Sequence, residues 1–453
     1  MESVDHTRHE KQKRDQRGMN APKSDSAAGT AARAAANRAL TECLRRKRPL
    51  DAALEETVIG LPSRDRGFAR AIANETMRRF GQVDDLLRHF VPKPPPPHKA
   101  GPTLEILLAG ICELLFLEVP AHAAVDGANR LAVADSKAVH FKPLINAALR
   151  RIAREGALVV HDQNDVRLNT PDWLWARWAQ TYGEDVTCAI ARVHAEIPPL
   201  DISPKASSRE LFRDRGSELP GGTIRLPETE NVELLPGFGE GAFWVQDFAA
   251  SLPATLLGDV AGRRVIDLCA APGGKTAQLC TKGARVTAVE RDERRLERLR
   301  ENLTRLRLDA ELVLADARDY RPQSPADCVL LDAPCSATGT IRRHPELPWI
   351  KSAADISACA DATSELLESA AVMVKPQGLL VFAVCSLEPE EGTEQVGHFL
   401  RHHAEFRRVQ IAPAELFGLA ECVDASGDLR TLPCHFTERG GMDGFYAVRL
   451  MRL

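Results

Sequence analysis

Two cysteines at related positions give the first indication of chemistry in this sequence. Cys335 lies just after an apolar run that ends at Asp332. Cys385 lies just after the apolar run Leu379–Val384, and a serine directly follows each cysteine. If both runs are strands of one parallel sheet, the two thiols lie at the same edge and can face one pocket. The pair predicts a nucleophilic site rather than a metal site, because no further cysteine or histidine has a clear place beside it.

A glycine-containing loop gives the second indication. Residues 265–276 predict a buried strand, a Pro-Gly-Gly turn and a helix start. Such a corner forms a small-ligand site, since glycine lets the backbone approach a ligand and a helix N-terminus faces it. The loop matches neither the dinucleotide pattern G-x-G-x-x-G nor the P-loop pattern. An ordinary strand-turn-helix corner remains the alternative. The candidate cofactor-binding residues here are Cys269, Ala270, Ala271, Pro272, Gly273, Gly274 and Lys275.

Acidic residues end the strands predicted after this loop. Glu290 ends the run Arg285–Glu290, where a carboxylate can accept hydrogen bonds from a ribose diol. Asp316 follows the run Glu311–Leu314, where it can accept a hydrogen bond from an adenine amino group. A helix cap for Glu290 and a turn cap for Asp316 are the alternatives. A glycine loop and two acids in this order predict an adenosine-containing cofactor without a diphosphate, and S-adenosyl-L-methionine fits best.

A thiolate, a carboxylate and a methyl sulfonium in one pocket suit one particular reaction. Carbon 5 of cytosine is too weak a nucleophile to take a methyl group unaided, but adding a thiolate to carbon 6 gives an enamine whose carbon 5 is strong enough. An acid–base group at the base edge stabilises the charge that develops on the ring. Lys275 and a helix N-terminus are candidates for lowering the thiol pKa.

Three segments around these residues form recognisable motifs. They are residues 267–276 (Asp-Leu-Cys-Ala-Ala-Pro-Gly-Gly-Lys-Thr), 331–339 (Leu-Asp-Ala-Pro-Cys-Ser-Ala-Thr-Gly) and 384–391 (Val-Cys-Ser-Leu-Glu-Pro-Glu-Glu). These motifs resemble those of the Sun-type (RsmB-like) RNA cytosine-5 methyltransferases, over about residues 237–453. The resemblance implies that Cys385 is the nucleophile and that Cys335 helps product release. It also implies that Cys269 to Lys275, Glu290, Asp316 and Asp332 surround the cofactor, with Asp332 also near the target base.

The catalytic set expected from this resemblance is Cys385, Cys335, Asp332 and Lys275. Two departures from the family pattern leave the substrate open. Residues 199–205 stand where the family usually has an Arg-Val-Asn strand, and Val384 replaces a threonine before the nucleophile. Transfer RNA therefore remains an alternative substrate, and a non-catalytic RNA-binding assembly factor is the alternative class.

The rest of the chain predicts several domains. Residues 1–30 predict a disordered basic tail, since residues 1–48 carry 12 Lys and Arg against 6 Asp and Glu. Residues 31–156 show helical periodicity throughout. They resemble a NusB fold through residues 63–69 and 141–155, which implies RNA binding and small-subunit (16S) ribosomal RNA as substrate. Residues 157–240 predict a connecting α+β subdomain whose tryptophans serve packing more than RNA stacking, and residues 241–453 predict the methyltransferase domain.

The expected architecture is an all-α NusB-like domain followed by an α/β Rossmann-like class I methyltransferase domain, with strands alternating with helices in a mostly parallel sheet. The apolar run Leu104–Leu117 contains Glu105 and Glu113, which argues against a membrane span. Eleven cysteines without a paired framework predict reduced thiols and a cytoplasmic location. No cysteine–histidine spacing predicts a zinc site, and a monomer is favoured.

Overall fold

The computed structural model describes residues 28–227 and 231–453, which fall into two compact units. The first unit comprises residues 28–46, 50–76 and 86–161, and the second comprises residues 47–49, 77–85 and 162–453. Most of the predicted basic tail, residues 1–27, lies outside the described residues. The first helix of the described residues begins at Ala28, so the last three residues assigned to the tail are helical.

The first unit is helical, as its apolar periodicity predicted. The helices in this part of the chain are α1 Ala28–Arg46, α2 Leu50–Thr57, α3 Ser63–Arg78, α4 Phe80–Phe90, α5 Pro97–Ala100, α6 Thr103–Leu115, α7 Ala121–Ala134 and α8 Lys142–Asp162. Helix α6 is buried along most of its length. Its Glu113 forms an ion pair with Arg33, with 2.6 Å between Oε2 and Nη2. None of the helices in the described residues is both long and apolar enough to cross a membrane.

Residues 77–85 differ from the predicted domain organisation, because they belong to the second unit. Arg78 shows the physical reason. Its Nη1 donates to the carbonyl oxygens of His194, Glu196 and Arg342, all in the second unit. Backbone acceptors far along the chain thus determine where the end of α3 and the start of α4 pack.

A small antiparallel sheet forms the middle of the chain. Helices α9 Asp165–Leu168, α10 Asp172–Tyr182 and α11 Glu184–His194 precede strands β1 Leu200–Pro204, β2 Ser217–Glu218, β3 Ile224–Leu226 and β4 Phe243–Val245. The strand order is β2-β3-β1-β4, and Ile202, Phe212 and Phe243 are fully buried in its core. Strand β4 lies beyond the boundary predicted at residue 240, because it pairs with β1 at Ile202↔Val245.

The last part of the chain is built on a second, mixed sheet. Its strands are β5 Arg264–Leu268, β6 Arg285–Glu290, β7 Glu311–Leu314, β8 Ala326–Asp332, β9 Val374–Val384, β10 Phe406–Arg408, β11 Leu429–Thr431 and β12 Phe445–Arg452. Its helices are α12 Phe248–Thr255, α13 Gly274–Thr281, α14 Glu293–Leu306, α15 Leu347–Ile350, α16 Ala353–Met373 and α17 Thr393–His402. The order is β10-β12-β9-β8-β5-β6-β7, and β11 pairs with β12. Strands β5 to β9 are parallel as predicted, whereas β12 runs antiparallel to β9 and makes the sheet mixed.

Helices cover both faces of this sheet. Alternate residues of the central strands enter two cores, so that Val265 packs on one face and Ile266 on the other. Apolar runs buried on both faces are typical of central parallel strands. The order of the strands reverses on either side of β5, since the next strands in sequence extend to one side and β8 and β9 to the other. Ligands bind beyond the carboxyl ends of the strands at such a switch point.

Candidate active site

An ion pair joins helix α13 to the end of strand β8 at this switch point. Lys275, near the start of α13, donates from Nζ to Oδ2 of Asp332 at the end of β8, over 2.8 Å. The same ammonium lies 5.0 Å from the centroid of the Phe445 ring. The sequence suggested Lys275 as a partner for a cysteine thiolate, but its ion pair is with the carboxylate.

The two cysteines singled out in the sequence meet in the structure. Cys335 Sγ and Cys385 Sγ lie 3.5 Å apart, just beyond the carboxyl ends of the adjacent strands β8 and β9. The hydrogen bond with Cys385, together with burial, raises the pKa of the Cys335 thiol well above its ordinary value. Cys335 is therefore protonated at neutral pH and can donate its S–H to the sulfur of Cys385.

The backbone after Cys385 is fixed by hydrogen bonds from three distant parts of the chain. The carbonyl of Cys385 accepts from Gly339 N at 3.1 Å, and that of Ser386 accepts from Arg430 Nη1 at 2.7 Å. The Leu387 carbonyl accepts from Tyr182 OH at 2.5 Å. Position 339 requires glycine, because a Cβ there would lie 1.9 Å from the Gly444 carbonyl oxygen.

The tryptophan-rich helix α10 contacts the same segment. Trp178 is buried, and its Nε1 donates to Glu388 Oε1 at 2.9 Å, while Arg177 Nε donates to Glu388 Oε2 at 2.7 Å. Trp175 donates to Glu184 Oε2 at 3.0 Å. The packing role predicted for the tryptophans is confirmed for Trp178, and the structure adds its contact to the loop after Cys385.

The glycine loop is shaped by packing against α14. Gly273 has a φ of 102°, and a Cβ there would lie 2.3 Å from Leu299 Cδ1. Arg295 Nη2 donates to the Ala271 carbonyl at 2.7 Å, and Asn302 Nδ2 donates to the Pro272 carbonyl at 3.0 Å. Ala270 and Ala271 are buried against Leu296 and Leu299, so their side chains support the loop.

A cavity of about 240 Å³ lies beside this loop, and it brings together three of the predicted cofactor-binding residues, Cys269, Glu290 and Asp316. Its other lining residues are Val289, Arg291, Arg295, Ala315, Ala317, Arg318, Pro334, Asp355, Ala358, Cys359, Ala362 and Leu366. Lys275, Asp332, Cys335 and Cys385 are not among them, so the cysteine pair is separate from the cavity wall.

The two acids of the cavity differ in how they are paired. Glu290 Oε1 accepts from the backbone of Arg291 and Asp292, whereas Oε2 accepts no hydrogen bond from the described residues and is buried. Arg295 Nη1 lies 3.4 Å from Oε2. Asp316 instead uses both oxygens for Arg318, and these hydrogen bonds lower its pKa to about 2. Glu290 therefore has an open acceptor, and Asp316 is already engaged.

Sequence reasoning gave no role to several groups that the structure places in or near the site. Asp267 is fully buried, and its Oδ2 accepts from Thr276 Oγ1 at 2.7 Å. Its Oδ1 has no hydrogen-bond partner among the described residues, and burial raises its pKa to about 7. Its position inside the glycine-loop motif, as a carboxylate within an otherwise apolar strand, was the available signal.

A network of two arginines and two aspartates, all buried except the partly exposed Arg343, supports the loop after Cys335. Arg342 Nε donates to Asp443 Oδ1 at 2.9 Å, Arg342 Nη2 donates to Asp247, and Arg343 Nε donates to Asp443 Oδ2 at 2.8 Å. Burial opposes the charge of Arg343, but Asp443, Asp247 and Cys385 outweigh it and raise the pKa of Arg343. Arg343 is thus a cation near Cys385, and its motif in the sequence did not show which acid would hold it.

The described residues contain no group of three or more histidine, cysteine, aspartate or glutamate side chains placed to hold a metal ion. All eleven cysteines are free thiols.

The chain matches two family profiles. The 16S rRNA methyltransferase RsmB/F family matches residues 254–451, and the NusB family matches residues 9–154. A ribosomal RNA small subunit methyltransferase B from Pseudomonas putida is 37% identical over 448 residues, which cover 93% of this chain and 98% of the relative. A protein of the same name from Vibrio cholerae is 35% identical over 404 residues, covering 84% of this chain and 92% of the relative.

Solved structures share the fold. The crystal structure of PH0851 covers 95% of this chain and 99% of its own, with a TM-score of 0.74 and 24% identity. A methyltransferase homologue from Pyrococcus horikoshii covers 65% of this chain and 97% of its own, with a TM-score of 0.52 and 25% identity. The predicted fold class, a NusB-like helical region followed by a class I methyltransferase domain, is confirmed.

The cavity fits the cofactor of this fold, which is S-adenosyl-L-methionine. Glu290 Oε2, which accepts no hydrogen bond from the described residues, offers a buried acceptor of the kind that a ribose hydroxyl requires. The adjacent loop lies between a strand end and a helix N-terminus. Gly273 can take a left-handed conformation against Leu299 because it has no side chain. With relatives that match nearly its whole length, the chain belongs to the RsmB/F family of RNA methyltransferases and carries a NusB-type region before its catalytic domain.

Proposed function

We propose that this protein methylates carbon 5 of cytosine in small-subunit ribosomal RNA through a covalent bond between Cys385 and the base. The observation that carries the proposal is the 3.5 Å contact between Cys335 Sγ and Cys385 Sγ beyond two adjacent strand ends, beside the Lys275–Asp332 ion pair. Two thiols in contact are superfluous for cofactor binding, but they suit a reaction in which one sulfur bonds to the base and must later leave it.

Cys385 is the nucleophile in this proposal. Its thiolate adds to carbon 6 of the ring, and the resulting enamine places electron density on carbon 5, which then takes the methyl group. S-adenosyl-L-methionine supplies that methyl group when it is bound. A base then removes the proton from carbon 5, and the electron pair re-forms the 5,6 double bond as the sulfur of Cys385 leaves.

Cys335 assists the last of these steps. Its pKa is raised by its contact with Cys385 and by burial, so that it remains an S–H donor while Cys385 reacts. A proton donor in contact with the departing sulfur lowers the cost of releasing a thiolate. Cys335 is therefore suited to donate a proton, and the neighbouring Cys385 to bond to the base.

Asp332 and Lys275 are assigned to the edge of the target base. Asp332 ends β8 three residues before Cys335, and its side chain is 31% exposed. Lys275 fixes one of its two carboxylate oxygens at 2.8 Å, which leaves the other able to meet an amino group or ring nitrogen. The Asp332 carboxylate thus orients the base edge, and the Lys275 ammonium beside it stabilises the negative charge that thiolate addition places on the ring.

The names of the relatives support the proposed substrate, and the free thiols support the proposed location. The curated relatives that cover most of this chain bear the name ribosomal RNA small subunit methyltransferase B, and the NusB profile covers residues 9–154. We assign small-subunit ribosomal RNA as the substrate and the cytoplasm as the place of action, with the helical unit contributing RNA contacts.

The test is methyl transfer from labelled S-adenosyl-L-methionine to purified small-subunit ribosomal RNA and, separately, to bulk transfer RNA, with mass analysis of the product nucleoside. Label in ribosomal RNA as 5-methylcytidine supports the proposal. Label in transfer RNA alone contradicts the substrate but keeps the chemistry, and label in neither RNA, with cofactor binding intact, favours a non-catalytic assembly factor.

The cysteine variants test the covalent mechanism. Cys385→Ala should abolish transfer, whereas Cys335→Ala should leave enzyme covalently attached to RNA on a denaturing gel. Cys188→Ala, in helix α11, serves as the matched control and should behave as the wild type. Normal turnover by both site variants contradicts the two-cysteine mechanism.

A further inference from the structure

One buried carboxylate joins the two loops that carry the cysteine pair. Glu391 Oε1 accepts from the backbone N of Ser336 at 2.7 Å, and its Oε2 accepts from Ser336 Oγ at 2.6 Å and from Ser386 Oγ. Ser336 directly follows Cys335, and Ser386 directly follows Cys385. A single side chain therefore holds the residue next to each sulfur.

The surroundings of Glu391 are unusual for an acid. Its side chain is fully buried, and no Lys, Arg or His of the described chain forms an ion pair with it. Burial raises its pKa, although the hydrogen bonds from Ser336 and Ser386 oppose that rise. Burying a carboxyl group without a cation costs free energy unless hydrogen bonds satisfy it. At this position the hydrogen bonds from Ser336 and Ser386 offset that cost, so the buried carboxyl group is satisfied only while it binds both serines.

We propose that Glu391 is the positioning residue that keeps Cys335 and Cys385 in contact, by binding the serine that follows each of them. The proposal rests on the proposed covalent mechanism, since the contact matters only if both sulfurs take part in the reaction. It assigns a role to the last residue of the Val-Cys-Ser-Leu-Glu-Pro-Glu-Glu segment, which neither its residue type nor its spacing explains.

Secondary contacts make the arrangement rigid. Thr338 Oγ1 accepts from Leu387 N at 3.0 Å, and Ser386 Oγ accepts from Glu388 N at 3.0 Å. The loop after Cys335 and the loop after Cys385 are thus joined twice. One connection is made by Glu391, and the other is the hydrogen bond between Thr338 and Leu387. The hydrogen bond with Cys385 and burial are the main causes of the raised pKa of Cys335, and the nearby charge of Glu391 adds to them.

The first experiment measures the contact in the free enzyme. Dibromobimane, which becomes fluorescent when it joins two thiols, should cross-link Cys335 to Cys385, and peptide mass spectrometry identifies the joined pair among the eleven cysteines. Glu391→Gln places an amide N–H donor where a carboxylate oxygen now accepts from the serines, so the cysteines should lose their contact and the cross-link should be lost. Glu390→Gln is the matched control, because Glu390 pairs with Arg177 instead of the serines.

Glu391→Asp covers the case in which the glutamine variant does not fold, as judged by cofactor binding and circular dichroism. It keeps the charge but is one methylene shorter, so it cannot reach both serines, and its cross-link yield should also fall. A yield equal to that of the wild type in whichever variant folds overturns the proposal.

A second readout separates positioning from general damage. If Glu391 positions Cys335, then Glu391→Gln should accumulate covalent enzyme–RNA adduct as Cys335→Ala does, with turnover reduced about 10²-fold. Adduct and turnover that decline together, with an unchanged cross-link, would overturn the positioning role. If Cys335→Ala forms no adduct with RNA, the covalent mechanism itself is contradicted. The cross-linking experiment needs no RNA, so its result tests the positioning role independently of that mechanism.

Discussion

Lys275 Nζ and Asp332 Oδ2 lie 2.8 Å apart, and this ion pair joins the loop after β5 to the end of β8 at the point where the strand order reverses. The cofactor loop and the cysteine-bearing loops therefore meet at one pair of charges. The fold brings a lysine and an aspartate 57 residues apart in sequence into contact because parallel neighbouring strands end at the same edge.

Removing the lysine should impair catalysis more than stability. Lys275→Met keeps much of the side-chain volume but frees Asp332, so we expect methyl transfer to fall about 10²-fold in single-turnover measurements. Because Asp332 is 31% exposed, water can solvate it, and the loss of stability should be below about 1 kcal/mol. Lys375→Met is the control, since Lys375 pairs with Asp327 near the opposite end of β8. Equal activity losses in the two variants would contradict a specific role for Lys275.

The open oxygen of Glu290 should contribute to cofactor affinity. Glu290→Gln replaces one acceptor oxygen by a donor, and loss of a hydrogen bond to a charged group costs about 1.5–3 kcal/mol. We therefore expect the Kd for S-adenosyl-L-methionine to rise roughly 10- to 150-fold by calorimetry. Glu293→Gln, on the exposed first turn of α14, should bind normally. An unchanged Kd for Glu290→Gln would remove Glu290 from the cofactor site.

His194 should make the protein less stable in acid. Burial, with the nearby charges of Arg78 and Arg342, lowers the pKa of His194 to about 3 from 6.5. Between these values the unfolded chain binds a proton that the folded chain does not, so stability falls as the pH falls below about 6.5, by at most about 1.4 kcal/mol per unit. His194→Gln should therefore show a shallower decline of Tm between pH 7 and pH 5.

His403 provides the control of opposite sign. Partial burial lowers its pKa, but Glu405 and Glu368 outweigh burial and raise it above the ordinary value. His403 contributes stability that is present below about pH 6.5 and is lost as the pH rises through its folded pKa. His403→Gln should thus steepen the acid decline of Tm. Parallel curves for wild type and His194→Gln would contradict the assignment.

We expect residues 199–205, the segment that departs from the family pattern, to stabilise the fold. Asp201 lies within residues 199–205, and its two oxygens accept from Arg225 Nε and Nη2, each at 2.7 Å, with both side chains buried. Asp201 Oδ2 also accepts from Phe248 N at 3.0 Å, which anchors the small sheet to α12. Asp201→Asn leaves a buried guanidinium unpaired and should destabilise the protein by about 3–5 kcal/mol in urea unfolding.

Asp214→Asn, at an exposed position of the same region, should leave the urea midpoint unchanged. A midpoint for Asp201→Asn within experimental error of the wild type would show that Arg225 finds other acceptors, beyond its bonds to the carbonyls of Arg439 and Gly441. The segment would then be free to serve RNA docking instead.

Local sequence patterns determined most of the elements. Strands Arg285–Glu290 and Glu311–Leu314 have the bounds that their apolar runs predicted. In such elements the apolar pattern is continuous, so neighbours in sequence suffice to define them. The short strands β10 and β11 and the antiparallel course of β12 were not predicted, because they exist only through pairing with β9 and with each other.

The sequence by itself determined the residue types of the site and their order at successive strand ends, since the alternation of strands and helices implies a common edge. Only the tertiary structure decided which of them touch. It paired Lys275 with Asp332 rather than with a cysteine, turned Asp316 towards Arg318, and left Oε2 of Glu290 open. It also brought Glu391 to the serines after both cysteines. These contacts join residues far apart in the chain, and their geometry depends on how loops pack, which no local pattern encodes.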